Sequence, residues 1–157
     1  MSTETRFEDG KLYVSRVYEA PREAVFEAWI ETKKVQAWWG CAQTVATRSE
    51  IEPRVGGCYN HTMTIEGAGE HPGEAVFTIY EPPERLAYSS APPGGAGPDM
   101  VVTVEFSVVE GGTRVELVHE GIPDMEVGPG MELRSIVREG WTAAFGKLAK
   151  FVGASVS

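Results

Sequence analysis

Cysteine is scarce in this sequence, with two residues among 157, Cys41 and Cys58. Two cysteines are too few for a disulfide framework and lack the paired spacing of metal-binding fingers, so we expect reduced thiols. The sequence also lacks any apolar run approaching the roughly 20 residues that a membrane-spanning helix requires. Its first residues contain no basic region followed by an apolar one, as a secretory signal would. We therefore expect a cytoplasmic protein that does not contact a membrane.

Positive charge is scarce as well. Lys and Arg number 14 against 23 Asp and Glu, which gives a formal net charge of −9 at pH 7. No basic cluster is longer than Lys33-Lys34. A surface of this charge repels phosphate backbones and anionic lipids. We expect neither nucleic acid nor an acidic membrane as a partner.

Recognisable motifs for catalysis and metal binding are missing. His61, His71 and His119 form no HxH, HxxxH or HExxH spacing, which argues against a metal site. The sequence has no Gly-x-Ser-x-Gly nucleophile elbow, and none of its glycine clusters follows a strand and opens a helix as a phosphate-binding loop does. From the sequence we predict no catalytic residue, no metal and no cofactor.

The residues that are present predict one domain of the α+β class. A length of 157 residues is typical of a single domain, placed at 1–157 with a core from about 10 to 152. Helical spacing of apolar residues predicts short helices at 21–31 and 33–40 and a long helix at 131–152. Alternating or β-branched runs predict seven strands, at 11–19, 44–52, 57–65, 73–81, 85–90, 100–110 and 113–120. The Gly- and Pro-rich segment 91–99 predicts a loop. Because the apolar face of a sheet must be covered, we expect the long helix to pack on that face.

Seven short motifs occur in order along these elements. They are Ala20-Pro21, Trp38-Trp39-Gly40, Val55-Gly56-Gly57, Pro82-Pro83-Glu84-Arg85-Leu86, Gly112-Thr113-Arg114, His119-Glu120-Gly121 and Gly140-Trp141. Together they resemble the SRPBCC superfamily of START-like and birch-pollen-allergen-like domains, and within it the homologues of the activator of heat-shock-protein-ninety ATPase. The resemblance implies a helix-grip fold, in which a curved seven-stranded antiparallel sheet wraps around the C-terminal helix, with two short helices after strand 1. It also implies an apolar cavity between sheet and helix.

Strand parity identifies the side chains that face this cavity. Residues two apart share a face, and the more apolar face of each strand should point to the helix. The long helix contributes the apolar residues at its periodic positions. The predicted ligand-binding residues are Tyr59, His61, Met63, Tyr88, Val102, Val104, Phe106, Leu117, His119, Ile136, Val137 and Trp141.

The two inward-facing histidines allow more than one interpretation. A neutral His61 could orient a ligand hydroxyl or carbonyl, or act as a general base, whereas the simpler alternative is a core histidine bonded locally. For His119 a structural hydrogen bond is the simpler account. Trp38 and Trp39 point about 100° apart on a helix, so one of them is expected to edge the cavity or a partner surface.

Three functions follow from this reading. The first is binding of a small apolar or amphipathic molecule in the cavity, because the predicted walls are apolar with few polar groups. The second is an enzyme of the polyketide cyclase or dehydratase kind, using a cavity histidine and tyrosine. The third, implied by the resemblance, is a co-chaperone-like stress protein that contacts a heat-shock ATPase through its surface.

Overall fold

The computed structural model describes residues 2–92, 95 and 97–156, and side chains as far as residue 153. Of the predicted loop at 91–99, residues 93, 94 and 96 lie outside the described residues. In chain order the elements are β1 (Glu4–Glu8), β2 (Lys11–Tyr18), α1 (Arg22–Ile30), α2 (Thr32–Trp38), β3 (Thr44–Ile51), β4 (Tyr59–Ile65), β5 (Gly69–Gly73), β6 (Val76–Glu81), β7 (Arg85–Ser90), β8 (Met100–Val109), β9 (Gly112–Glu120), β10 (Glu126–Gly128), β11 (Met131–Glu132) and α3 (Leu133–Val156).

Antiparallel pairing arranges the long strands in two adjoining sheets. One has the order β1-β2-β9-β8-β7-β6 and the other the order β3-β4-β5. The two meet where Cys58 bridges Val76 and where the amide of Tyr59 donates to the Ala75 carbonyl at 2.8 Å. Helix α3 packs against the six-stranded sheet. The architecture is the α+β helix-grip fold, which confirms the predicted fold class.

Each of the seven predicted runs contains a strand, and the structure adds β1, β5 and the β10–β11 hairpin. The sequence GEHPG of β5 is fully exposed and rich in residues that strands avoid. It is held by backbone pairing with β4, in which Met63 lies opposite His71. The predicted run 73–81 is divided, because Gly73 ends β5 and β6 begins at Val76.

The helices lie close to their predicted positions. Helix α1 follows Pro21 and buries Val25, Phe26, Ala28 and Trp29. Helix α2 ends at Trp38, two residues earlier than predicted. Helix α3 begins two residues later than predicted, because 131–132 pair with β10, and continues to residue 156.

Side chains from distant elements satisfy the last carbonyls of α1. The final turn of a helix leaves its carbonyl groups without helical partners. The indole nitrogen of Trp38 donates to the Ala28 carbonyl at 2.8 Å, and the hydroxyl of Tyr59 donates to the Trp29 carbonyl at 2.7 Å. The Trp29 ring, fully buried, contacts the rings of Trp38 at 4.7 Å and of Phe106 and Trp141 at 6.1 Å between centroids. These contacts join both short helices to the sheet and to α3.

Candidate functional site

Two neighbouring cavities open on the inner face of the sheet. The larger, of about 660 Å³, lies where β4 and β5 face β7 and the start of β8. The smaller, of about 270 Å³, lies between β4 and α3. Trp39 and Met63 line both cavities and form the wall that they share.

The larger cavity is aromatic on its inner side and has a rim of mixed polarity. Tyr59, His61 and Met63 reach it from alternate positions of β4, and Tyr88 and Ser90 reach it from β7. Its rim is formed by residues 71–75 together with Ala91 and Met100. Glu74, exposed at this rim, is the single charged residue among the described side chains that line it.

The smaller cavity is almost entirely apolar. Met63 and Ile65 of β4 face Ile136, Val137 and Ala144 of α3 across it, and residues 39–41 and 140–141 close its ends. Ile136 is 36% exposed because it stands at the opening. The cavity therefore suits an apolar group that enters between the sheet and α3.

Two polar atoms at the larger cavity are buried without a hydrogen-bond partner among the described residues. They are the Nε2 atom of His61 and the hydroxyl of Tyr88. The other ring nitrogen of His61, Nδ1, lies 2.8 Å from the Ser49 hydroxyl, opposite it on β3. Buried polar groups in folded proteins are nearly always paired, so each exception needs an explanation. Two such exceptions at one cavity are consistent with a partner that enters from outside the chain.

Burial keeps both groups uncharged. It lowers the pKa of His61 to about 3, so the imidazole is neutral at physiological pH. Burial also raises the pKa of Tyr88 well above its ordinary value, so the phenol retains its proton. The cavity thus presents a neutral imidazole and a neutral hydroxyl. Lys and Arg are absent from the described side chains that line either cavity.

His119 makes a structural hydrogen bond, as the simpler interpretation of this residue expected. The indole nitrogen of Trp141 donates to its Nδ1 atom at 3.0 Å. Because Nδ1 accepts, the neutral ring carries its proton on Nε2. Burial lowers the pKa of His119 to about 4. The pair joins β9 to α3 at the end of the smaller cavity, which Trp141 lines and His119 does not.

The structure separates the twelve predicted site residues into two groups. Seven line a cavity: Tyr59, His61, Met63, Tyr88, Ile136, Val137 and Trp141. The other five line neither of these two cavities: Val102, Val104, Phe106, Leu117 and His119. All five are buried. Over Phe106 the space is filled by aromatic side chains, with the ring centroid of Phe26 at 5.1 Å and that of Trp29 at 6.1 Å. Strand parity identifies which side chains face the interior, but it does not show which part of the strand borders a cavity.

Several lining residues were absent from the predicted set. Trp38 is fully buried, whereas Trp39, the next residue, lines both cavities and stacks on His61. Because adjacent residues of a helix point in different directions, the sequence predicted that one of these two tryptophans lies at the cavity, but it did not show which one. Ser90 shares the strand parity of Leu86 and Tyr88, which could have identified it. His71, which also lines the larger cavity, lies on β5. The amino-acid composition of β5 did not indicate a strand.

Other features of the described chain bear on what it can bind. No group of three or more His, Cys, Asp or Glu side chains in the described part is arranged to hold a metal ion. Cys41 and Cys58 are both free and partly buried. Over the described residues, no helix combines the length and apolarity needed to cross a bilayer.

Comparison with known proteins identifies the family. Residues 19–153 match the sequence profile of the family described as activator of Hsp90 ATPase homolog 1-like protein. The chain belongs to this family. The resemblance inferred from the seven motifs is thereby confirmed, and with it the SRPBCC superfamily. No curated protein matches the chain significantly.

Several solved structures share the fold of this chain. Protein CV1439 from Chromobacterium violaceum is 25% identical, with 92% of this chain and 98% of that chain covered and a TM-score of 0.79. A protein from Rhodobacter sphaeroides is 20% identical, with coverage of 98% and 99% and a TM-score of 0.80. The AHSA1-like protein from Aeromonas hydrophila is 22% identical, with coverage of 92% and 93% and a TM-score of 0.70. At these identities the likeness to the last two concerns the fold alone.

Proposed function

We propose that the protein binds a small apolar or amphipathic molecule in the two adjoining cavities. The observation that carries the proposal is the pair of unpartnered polar atoms, His61 Nε2 and Tyr88 Oη, at an otherwise largely apolar cavity of about 660 Å³. Ligand sites in proteins are commonly concavities of roughly 300–1,000 Å³ with aromatic or apolar walls and a few polar groups. The larger cavity has this size and this chemistry.

The smaller cavity extends the proposed site. It shares Trp39 and Met63 with the larger one, and Met is a flexible side chain that adapts to the shape of a ligand. An apolar part of the ligand would lie against Ile136 and Val137 of α3, while its polar part would lie near β4 and β7. This division supports an amphipathic molecule.

The cyclase or dehydratase alternative is less well supported by the site. General acid–base catalysis is most efficient when the pKa of the catalytic group lies near the working pH. Burial lowers the pKa of His61 to about 3, which makes its imidazole a poor proton acceptor at neutral pH. Tyr88 retains its proton for the same reason. The site is better suited to holding a ligand than to moving protons.

An interaction with a heat-shock ATPase is the second candidate, favoured by the family to which the chain belongs. The net charge of −9 would support association with a basic surface on such a partner. The two candidates use different parts of the molecule, because one depends on the cavities and the other on the exterior. Salt-dependent binding to a purified heat-shock ATPase would test the second.

A matched pair of variants tests the ligand-binding proposal. Ser90 lines the larger cavity, whereas Ser107 is exposed on the outer face of β8. N-phenyl-1-naphthylamine, a neutral apolar fluorophore, should bind the wild-type protein and the Ser107→Trp variant equally. Ser90→Trp should weaken binding by about tenfold or more, because the indole occupies the cavity. Equal binding by all three proteins, or none by the wild type, would contradict the proposal.

The natural ligand can be sought directly. Native mass spectrometry of the protein purified from its own cell extract, compared with the denatured spectrum, should show a mass that is released on unfolding. Ser90→Trp expressed in the same cells should lack that mass, and Ser107→Trp should retain it. This comparison separates a cavity ligand from a molecule bound to the surface.

A further inference from the structure

We propose that the ligand of the larger cavity is uncharged and carries a hydroxyl group, an alcohol or a phenol, which hydrogen-bonds to His61 Nε2 and Tyr88 Oη. This inference rests on the proposed function and names the chemical class that the site selects. Its evidence is the hydrogen-bonding state of the four polar side chains around the inner end of the cavity.

Few polar side-chain atoms on the aromatic inner side of the cavity lack a hydrogen-bond partner among the described residues. The ring of Tyr59 contacts both other rings, with its centroid 4.4 Å from that of His61 and 4.8 Å from that of Tyr88. Its own hydroxyl is occupied, since it donates to the Trp29 carbonyl at 2.7 Å. His61 Nδ1 is occupied by the Ser49 hydroxyl. Of the ring residues, this leaves the Tyr88 hydroxyl and His61 Nε2, each buried and without a partner among the described residues. The Ser90 hydroxyl is a further polar group in the lining.

A hydroxyl is the ligand group that satisfies these atoms in either tautomer of His61. The Ser49 hydroxyl can donate to Nδ1 or accept from it, so Nε2 either carries a proton or accepts one. A carbonyl oxygen on the ligand would pair with Nε2 in one of these states alone. A hydroxyl both donates and accepts, and so does Tyr88. A ligand hydroxyl can therefore pair with His61 Nε2 whichever tautomer the Ser49 contact fixes, and it can pair with the Tyr88 hydroxyl as donor or acceptor.

Charge at the site selects against acids. A buried carboxylate requires a cation or several hydrogen-bond donors to replace its hydration. Neither Lys nor Arg occurs among the described residues lining the cavity, and the imidazole of His61 is neutral. Glu74 at the rim adds negative charge at the entrance. A fatty acid or other carboxylate would thus lose hydration with no cation in the described lining to compensate its charge, whereas an uncharged alcohol or phenol needs none.

Three probes of one shape test this inference: 2-naphthol, 2-methylnaphthalene and 2-naphthoate. Each competes with N-phenyl-1-naphthylamine for the protein at neutral pH, so that affinities are compared on one scale. We expect 2-naphthol to bind about fivefold to tenfold more tightly than 2-methylnaphthalene, the effect of one or two net hydrogen bonds. We expect 2-naphthoate to bind about tenfold more weakly than 2-naphthol, or more weakly still.

Variants assign the advantage of the hydroxyl to the two named atoms. In Tyr88→Phe and in His61→Phe the ratio of the affinities for 2-naphthol and 2-methylnaphthalene, both measured on the same variant, should fall toward one. Tyr80→Phe is the matched control, because Tyr80 lies on the neighbouring strand β6 and does not line the larger cavity. It should keep the wild-type preference.

The possible failures are distinguishable. Equal affinities for 2-naphthol and 2-methylnaphthalene in the wild type, or tightest binding of 2-naphthoate, would overturn the inference and leave the proposed ligand-binding function standing. A wild-type preference that persists in both Tyr88→Phe and His61→Phe would also overturn it. If N-phenyl-1-naphthylamine and all three probes fail to bind, the proposed function falls and the inference falls with it.

Discussion

The indole of Trp39 stacks on the imidazole of His61, with ring centroids 3.9 Å apart and planes 23° from parallel. The Ser49 hydroxyl holds the same imidazole by its Nδ1 atom from the adjacent strand. Stacking on one face and a hydrogen bond at one edge fix the orientation of the ring. A residue directly after α2 thereby positions a polar group on β4 at the cavity.

The two adjacent tryptophans should differ when each is replaced by phenylalanine. Trp38→Phe removes the hydrogen bond from its indole to the Ala28 carbonyl and leaves a gap at a fully buried position. We expect it to lower the free energy of unfolding by about 2–4 kcal/mol. Trp39→Phe, at a partly exposed position, should cost about 1 kcal/mol. Urea denaturation of the two variants measures both values.

The same pair should differ in the opposite sense in ligand binding. Trp39→Phe alters the wall common to the two cavities, so we expect N-phenyl-1-naphthylamine to bind several-fold more weakly. Trp38→Phe, away from both cavities, should keep the wild-type affinity while folded. If Trp38→Phe weakened binding more than Trp39→Phe, the assignment of Trp39 to the site would be wrong.

Two buried tyrosines provide a second matched comparison. Tyr59→Phe removes the hydrogen bond to the Trp29 carbonyl at the end of α1, and we expect it to lower the free energy of unfolding by about 1–2 kcal/mol. Tyr88→Phe removes a buried hydroxyl that has no described partner. We expect its free energy of unfolding to be unchanged within about 0.5 kcal/mol, or to rise. Thermal and urea denaturation without ligand measure both effects, and a large loss of stability in Tyr88→Phe would show that its hydroxyl is bonded within the protein.

Much of the fold could be predicted because local sequence patterns correspond directly to backbone geometry. Alternation along 100–110 gave the inward face of β8, and apolar spacing along 131–152 gave the buried face of α3. β5 could not be predicted in this way. It pairs with the backbone of β4, while its own residues are exposed and include two glycines and a proline. Amino-acid composition does not indicate a strand whose conformation depends on backbone pairing with its neighbour.

The candidate site could be predicted less completely for a related reason. Parity correctly turned Val104 and Tyr88 toward the interior, where both are buried. It did not show that Phe26 and Trp29 fill the space above β8, whereas the space beside β7 stays open. The hydrogen-bond partner of His61 could not be predicted either, because Ser49 lies opposite His61 only through the register in which β3 and β4 pair. Strand register, and the filling of the interior by side chains, depend on contacts between elements that are distant in sequence.

Acid should destabilise the protein through its buried histidines. Burial lowers the pKa of His61 to about 3 and that of His119 to about 4, whereas an unfolded histidine titrates near about 6.5. Below about pH 6.5 the unfolded chain therefore binds protons that the folded chain does not. The free energy of unfolding of the protein therefore falls as the pH decreases toward about 4, by up to about 1.4 kcal/mol per pH unit for each histidine.

His61→Phe isolates one part of this dependence. The free energy of unfolding of the variant, measured by urea denaturation at several values between about pH 4 and 6.5, should fall less steeply than that of the wild type. The difference in slope should approach about 1.4 kcal/mol per pH unit, the effect of one proton. Parallel slopes for the two proteins would mean that His61 is already accessible to protons in the folded state.

A lysine on α3 holds the segment that closes the smaller cavity. The ammonium group of Lys147 donates to the Cys41 carbonyl at 2.7 Å, and the amide of Thr44 donates to the same oxygen at 3.1 Å. Lys147→Met removes the charged donor and keeps most of the apolar stem. We expect the Thr44 amide to exchange its hydrogen with solvent about tenfold faster, because a hydrogen bond from a charged group contributes about 1.5 kcal/mol. Lys150→Met, at an exposed position of the same helix, should leave that rate unchanged. Equal exchange rates in the two variants would show that the segment 39–44 is held by its own turn and not by α3.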